Sequence, residues 1–281
     1  MSIWYAIVDL LPFQWAEAGS MLFMKNALLA VLIISPLFGL LSTMVVENRM
    51  AFFSDALGHS AFTGIAIGTL CGLVDATWCA VLLAVVFALL FTWVQRKTRM
   101  ASDTIIGVFA STAIALGIFV STLDGHSFTK FNSLLIGDIL SVSPAKIAIL
   151  ALILLLVLLL WAARLNQLAL TAVYPVLADS RGIHTGLLEA VFNCAIAVVV
   201  TLSLSWVGLL VINALLILPG AAARNIARNM RQYTLFALVG AVVSGVAGLL
   251  ISFYAGSSTG ASITLCLALF FGATFCLRRQ G

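Results

Sequence analysis

The chain reads as an all-α polytopic membrane protein, and three observations predict that class. Charged residues make up 9% of it, hydrophobic residues 63%, and the mean hydropathy is +1.20, whereas soluble domains carry about 25% charge. Apolar runs of ~20 residues, the length that crosses a bilayer as a helix, recur along its 281 positions. Those runs are continuous instead of alternating with period two, which argues against a closed barrel.

In order, the first element is Ser2–Ala18, which mixes Trp4, Tyr5, Phe13 and Trp15 with Asp9 and Glu17. That pattern predicts an interfacial helix within residues 1–20. No basic n-region precedes an apolar stretch, because the first 24 residues contain no Lys or Arg, so no secretory signal is read. Eight to nine spans follow, near 27–46, 51–72, 76–95, 103–123, 144–163, 187–204, 206–223, 233–253 and 260–277. Between the fourth and fifth lies DGHSFTKFNSLLIGDILSVS (124–143), whose apolar run at 131–140 predicts a re-entrant or interfacial half-helix. Between the fifth and sixth, residues 164–186 are too polar to span. With Pro175 and Gly182 inside them, they predict a short helix along the membrane surface. No linker or low-complexity tract divides the chain, so residues 1–281 form one membrane domain.

The basic residues are distributed by side. Alternating spans place Arg49, Arg96, Lys97, Arg99, Arg164, Arg181, Arg224, Arg228, Arg231, Arg278 and Arg279 together, leaving Lys25, Lys130 and Lys146 opposite. The positive-inside rule makes the richer side cytoplasmic, with the C-terminus inside and the N-terminus outside for nine spans. A net charge of +4 spread in this way marks topology and no nucleic-acid partner. Cys71, Cys79, Cys194, Cys266 and Cys276 are scattered without a CxxC, as packed thiols are.

The chemistry concentrates in the second span, AFFSDALGHSAFTGIAIGTLCG (51–72). Asp55 and His59 stand four residues apart and project from one helix face. Ionisable groups inside a membrane segment are costly and usually face a bundle interior or an aqueous path. One carboxylate oxygen and one imidazole nitrogen also form a ligand pair for a divalent metal. The bland alternative is a buried hydrogen-bonded pair that holds the bundle together. Beside the pair runs a ridge of small residues, Ala56, Ser60, Gly64, Gly68 and Gly72, which permits close helix approach in lipid. Gly64 and Gly68 are therefore read as packing positions. Gly240, Ser244 and Gly248 form a similar ridge in the eighth span.

Other polar residues read more simply. Asp124 and His126 lie in the outer loop, either as solvated groups or as ligands at the mouth of a path. Glu189 and Asn193 fit a hydrogen-bonded helix end better than an exit ligand. Asp103 begins a helix, where negative charge meets the positive end of the dipole. Asp138 reads as a cap, and Arg224, Arg228 and Arg231 as topology determinants. There is no HExxH and no nucleophile turn, so nothing points to an intramembrane enzyme.

Several motifs, in order, resemble the permease subunits of zinc- and manganese-type ABC importers. They are RMAFFSDALGHSAFTGIAIG (Arg49–Gly68), SDTIIG (Ser102–Gly107), LIGDILSV (Leu135–Val142), VGLLVINALLILPGAAAR (Val207–Arg224) and GSSTGASI (Gly256–Ile263). There are departures. Thr63 stands where the family usually has proline, Tyr254–Thr259 carries no acid, and Asn213 is unusual without any account from sequence.

The resemblance implies a type II ABC importer fold moving a divalent metal, zinc or manganese with iron as a further option, past Asp55 and His59 into the cytoplasm. No GxxxxGK[ST] occurs, so ATP would be bound and hydrolysed by a separate ATPase subunit, and this chain would be no enzyme and hold no cofactor. YPVLADSRGIHTG (174–186) resembles the coupling helix that receives that subunit, with Ala178 and Gly182 at its small positions, Arg181 at its charged one, and His184 suited to ATPase contact. The family assembly also implies a second copy of the chain, an extracytoplasmic metal-binding protein and a lipid surround in the inner membrane. Two copies about a two-fold axis would offer two carboxylates and two imidazoles. The competing reading is a metal/proton antiporter with Asp55 as the exchanging acid, which would need no docking surface for an ATPase.

Overall fold

A computed structural model describes residues 4–5, 8, 21–72, 75–98, 100–123 and 137–277. Among them are nine long helices and one short one: α1 (Leu22–Glu47), α2 (Phe53–Leu70), α3 (Thr77–Lys97), α4 (Ser102–Leu123), α5 (Pro144–Val173), α6 (Pro175–Ser180), α7 (Thr185–Val207), α8 (Leu209–Ile226), α9 (Met230–Ala255) and α10 (Thr259–Cys276). Each of the nine apolar segments forms a helix. Eight of these helices are long and apolar enough to cross a membrane, and α2 is the exception. It is 18 residues long, and its Ser, Asp, Gly, His and Thr residues dilute its apolar character.

Packing explains how a polar helix is tolerated there. The α2 helix lies against α3 and α4 and also meets α7 and α8, so protein surrounds much of it. Buried Phe53, Ala56, Leu57, Gly58, Ser60, Ala61 and Gly64 follow that enclosure. On the outside of the bundle the pattern reverses: Leu152, Leu155, Leu156 and Leu159 of α5 and Leu82, Leu89 and Leu90 of α3 are exposed, as lipid-facing residues should be.

The small-residue ridge of α2 seats α3. A Cβ added to Gly64 would fall 2.5 Å from Ala80 Cα, and one added to Gly68 would fall 3.0 Å from Ala76 Cβ. Gly72 lies past the helix end with a left-handed φ of 69°, and a Cβ added there would meet no described residue within 4 Å, so the ridge stops at Gly68. On α9, Gly240 and Gly248 meet Phe270 and Ile263 of α10 in the same way. Thr63 ties α2 to α4, its hydroxyl lying 2.6 Å from the Ala113 carbonyl and 3.0 Å from that of His59. This bond gives the non-proline residue at 63 a purpose.

Two boundaries differ from expectation. The α5 helix runs on to Val173, so only Pro175–Ser180 of the polar inner segment forms the short surface helix. Good helix formers such as Leu165, Gln167, Leu168, Leu170 and Ala172 carry it past the apolar stretch. Between α7 and α8 the break is Gly208, with φ 84°. The expected half-helix at 131–140 falls mostly outside the described residues, as do Asp124 and His126. The described end is a 3-10 turn at Ile139–Ser141, capped by Asp138, whose Oδ1 accepts from the Leu140 amide at 3.1 Å. Most of the N-terminal 20 residues also lie outside. Trp4 donates to the Lys25 carbonyl and Tyr5 to Asn26 Oδ1, which sets both against the start of α1.

Candidate metal-transport site

Asp55 occupies the first turn of α2, where a carboxylate is favoured by the unpaired amides and the helix dipole. One turn on, His59 Nε2 lies 3.4 Å from Asp55 Oδ2. The imidazole is 11% exposed and the carboxylate 40%, so the histidine is the fixed wall and the aspartate the open edge. Two atoms bound to one zinc at about 2.1 Å with tetrahedral angles stand about 3.4 Å apart. The same separation is also that of a direct imidazole–carboxylate contact, so the geometry accommodates either the buried pair or two donors to one ion.

Sequence reasoning missed the third member. Asn213, one turn into α8, donates from Nδ2 to Asp55 Oδ1 at 3.1 Å, and its Oδ1 accepts the Ser54 hydroxyl at 2.7 Å. The chain enters α8 beside the site because Leu209 packs on Gly58, where a Cβ would lie 2.5 Å from Leu209 Cδ1. The available signal was an amide in an otherwise apolar helix, since such a group needs a polar partner. Among the described residues, no three His, Cys, Asp or Glu side chains gather as a metal cluster. At this site the described residues bring together two such side chains, Asp55 and His59.

The other polar residues separate from this site. Asn193 is buried and donates to Thr92 Oγ1 at 2.9 Å, joining α7 to α3 as a helix anchor. Asp103 lies in the first turn of α4. Arg224 faces Glu47 at 3.7 Å between α8 and α1. The five cysteines are free thiols.

In the polar inner segment, Ala178 is fully buried, while Val176, Leu177 and Arg181 are exposed. Gly182 has φ 73°, and among the described residues no atom lies within 4 Å of a Cβ placed there. Its amide bonds to the Asp179 carbonyl and that of Ile183 to the Ala178 carbonyl, the paired bonds of a left-handed helix stop. Glycine is needed there first for backbone sign. Beyond it, Thr185 donates to Asp179 Oδ1 at 2.7 Å and accepts from Arg96 Nη2 of α3 at 3.4 Å. His184 and Arg181 line a cleft of ≈ 540 Å³ with Arg164, Leu168 and Phe192, away from Asp55.

Residues 20–278 match the ABC 3 transport family. The chain belongs to that family. It is 29% identical over 245 residues to the high-affinity zinc uptake system membrane protein ZnuB of Haemophilus influenzae, covering 87% of this chain and 94% of the relative. It is 27% identical over 265 residues to the manganese transport system membrane protein MntC of Halalkalibacterium halodurans, covering 94% and 90%. Among solved structures, PsaBC from Streptococcus pneumoniae in complex with Fab superposes with a TM-score of 0.77 at 25% identity, covering 98% of this chain and 95% of that one. The chain is thus a membrane permease subunit of that family, with ATP hydrolysis on a separate ATPase partner.

Proposed function

We infer that this chain is the membrane-spanning permease subunit of an ABC importer that carries a divalent transition metal, zinc or manganese, with ATP hydrolysed on a separate ATPase subunit. The observation that carries the reading is the Asp55–His59 pair, 3.4 Å apart on a mostly protein-enclosed helix in a chain of the ABC 3 family. An oxygen and a nitrogen ligand suit zinc and tolerate manganese. Two ligands per chain hold an ion loosely enough to release it. A second copy about a two-fold axis would complete a four-ligand set from two carboxylates and two imidazoles.

Energy would enter at the surface turn. The exposed Val176, Leu177 and Arg181 offer a docking face for the ATPase, and Ala178 and Gly182 shape that turn from within. An extracytoplasmic binding protein would deliver the ion at the opposite face, and the basic helix ends and C-terminus would lie in the cytoplasm. Proteoliposomes holding the permease with its ATPase test the reading. Zinc or manganese uptake that needs ATP and is lost in Asp55→Ala is the expected result. Uptake driven by a proton gradient without ATP would overturn it.

A further inference from the structure

The zinc–manganese choice left open above turns on the residue that sequence could not explain. We propose that Asn213 sets the selectivity of the ion site by holding Asp55 as a one-oxygen ligand, which favours zinc over manganese. The proposal rests on the reading of Asp55 and His59 as the ion's ligands.

The clamp has a defined polarity. A carboxylate only accepts hydrogen bonds, so the amide must turn its NH₂ toward Asp55 and its oxygen toward the Ser54 hydroxyl. The observed distances, 3.1 Å to Asp55 Oδ1 and 2.7 Å from Ser54 Oγ, agree with that arrangement. Ser54 and Asp55 are consecutive on α2, and Ser54 is buried. Rotation of the amide would therefore break both bonds at once, with little water to replace the serine's. Asn213 thus presents its NH₂ to Asp55 and turns its oxygen to Ser54.

The consequence falls on the carboxylate. Oδ1 is engaged by the amide while Oδ2 faces His59 Nε2 at 3.4 Å. An ion at the pair takes Oδ2 without disturbing the clamp. Swinging Oδ1 onto the ion as well would strand the Asn213 amide. Zinc is satisfied by four ligands in a tetrahedron, whereas manganese prefers six, largely oxygen. Denying the second oxygen thus costs manganese more than zinc. Asn213 is a positioning residue in this scheme and never touches the ion.

Uptake of zinc and of manganese at equal free concentration, in proteoliposomes containing permease, ATPase and binding protein, reads the effect. The same binding protein serves every variant, so its own preference cancels from the comparison. Asn213→Ala should lower the zinc-to-manganese uptake ratio about tenfold, the scale of one hydrogen bond to a carboxylate. Ser54→Ala, which leaves the amide in place but unclamped, should shift it in the same direction by less. The direction holds whichever ion the parent prefers. If Asn213→Ala fails to assemble, Ser54→Ala and the zinc and manganese affinities of its purified complex decide. An unchanged ratio, with both ions reduced in proportion, would show a purely structural asparagine and overturn the proposal. Asp55→Ala separates the two levels: if it transports normally, the site itself is misassigned. If it is inactive while the ratio in the clamp variants stays constant, only the selectivity proposal fails.

Discussion

Asn213 on α8 and Asp55 on α2 are 158 residues apart in sequence and joined by a 3.1 Å hydrogen bond. That bond fixes where a carboxylate oxygen points, and the i,i+4 spacing of Asp55 and His59 fixes what it points toward. The candidate site is thus built from two helices, with Asp55 and His59 on one and Asn213 on the other.

Removal of either ligand should stop transport without unfolding the bundle. Asp55→Asn keeps the volume and the contact with Asn213 but removes the anionic ligand, and His59→Ala removes the nitrogen. Both should reduce ATP-driven metal uptake to the level of protein-free vesicles at normal membrane yield. Wild-type uptake by both variants would assign the path elsewhere.

The α2–α3 contact should tolerate nothing larger than glycine at 64. A Cβ there meets backbone of Ala80 at 2.5 Å, whereas at Gly68 it meets the Ala76 methyl at 3.0 Å. Gly64→Ala should therefore destabilise the purified complex by about 1–3 kcal/mol, the scale of overpacking, and Gly68→Ala by less. Leu70 is 46% exposed, so Leu70→Ala should leave the melting midpoint and uptake near wild type. Equal midpoints for Gly64→Ala and Leu70→Ala would place the ridge against lipid.

At Gly182 the backbone, with φ 73°, separates two explanations. Gly182→Ala forces a Cβ into the left-handed region at a cost of about 1–2 kcal/mol, while asparagine visits that region more readily. Co-purification of the ATPase should fall with Gly182→Ala and recover in part with Gly182→Asn. If asparagine is worse than alanine, bulk at the docking face governs instead.

Thr185 links the surface turn to α3 through Asp179 and Arg96. Thr185→Val keeps the shape and removes both bonds. Fewer metal ions imported per ATP hydrolysed, at normal ATPase binding, is the expected outcome. An unchanged ratio would mean that the link only stabilises the turn.

What sequence alone determined follows from local rules. Hydropathy over ~20 residues located the eight helices apolar enough to cross a membrane, because that property is set by composition along one segment. Helical periodicity put Asp55 beside His59 and lined up Gly64 with Gly68, since residues four apart share a face whatever surrounds them. Tertiary structure decided the rest. Asn213 found its partners only when Leu209 packed on Gly58. Ala178 proved to be an inward-facing residue, and the polar α2 was tolerated because α3, α4, α7 and α8 enclose it. These outcomes depend on which helices meet and at what height, and no periodicity within a single segment encodes that.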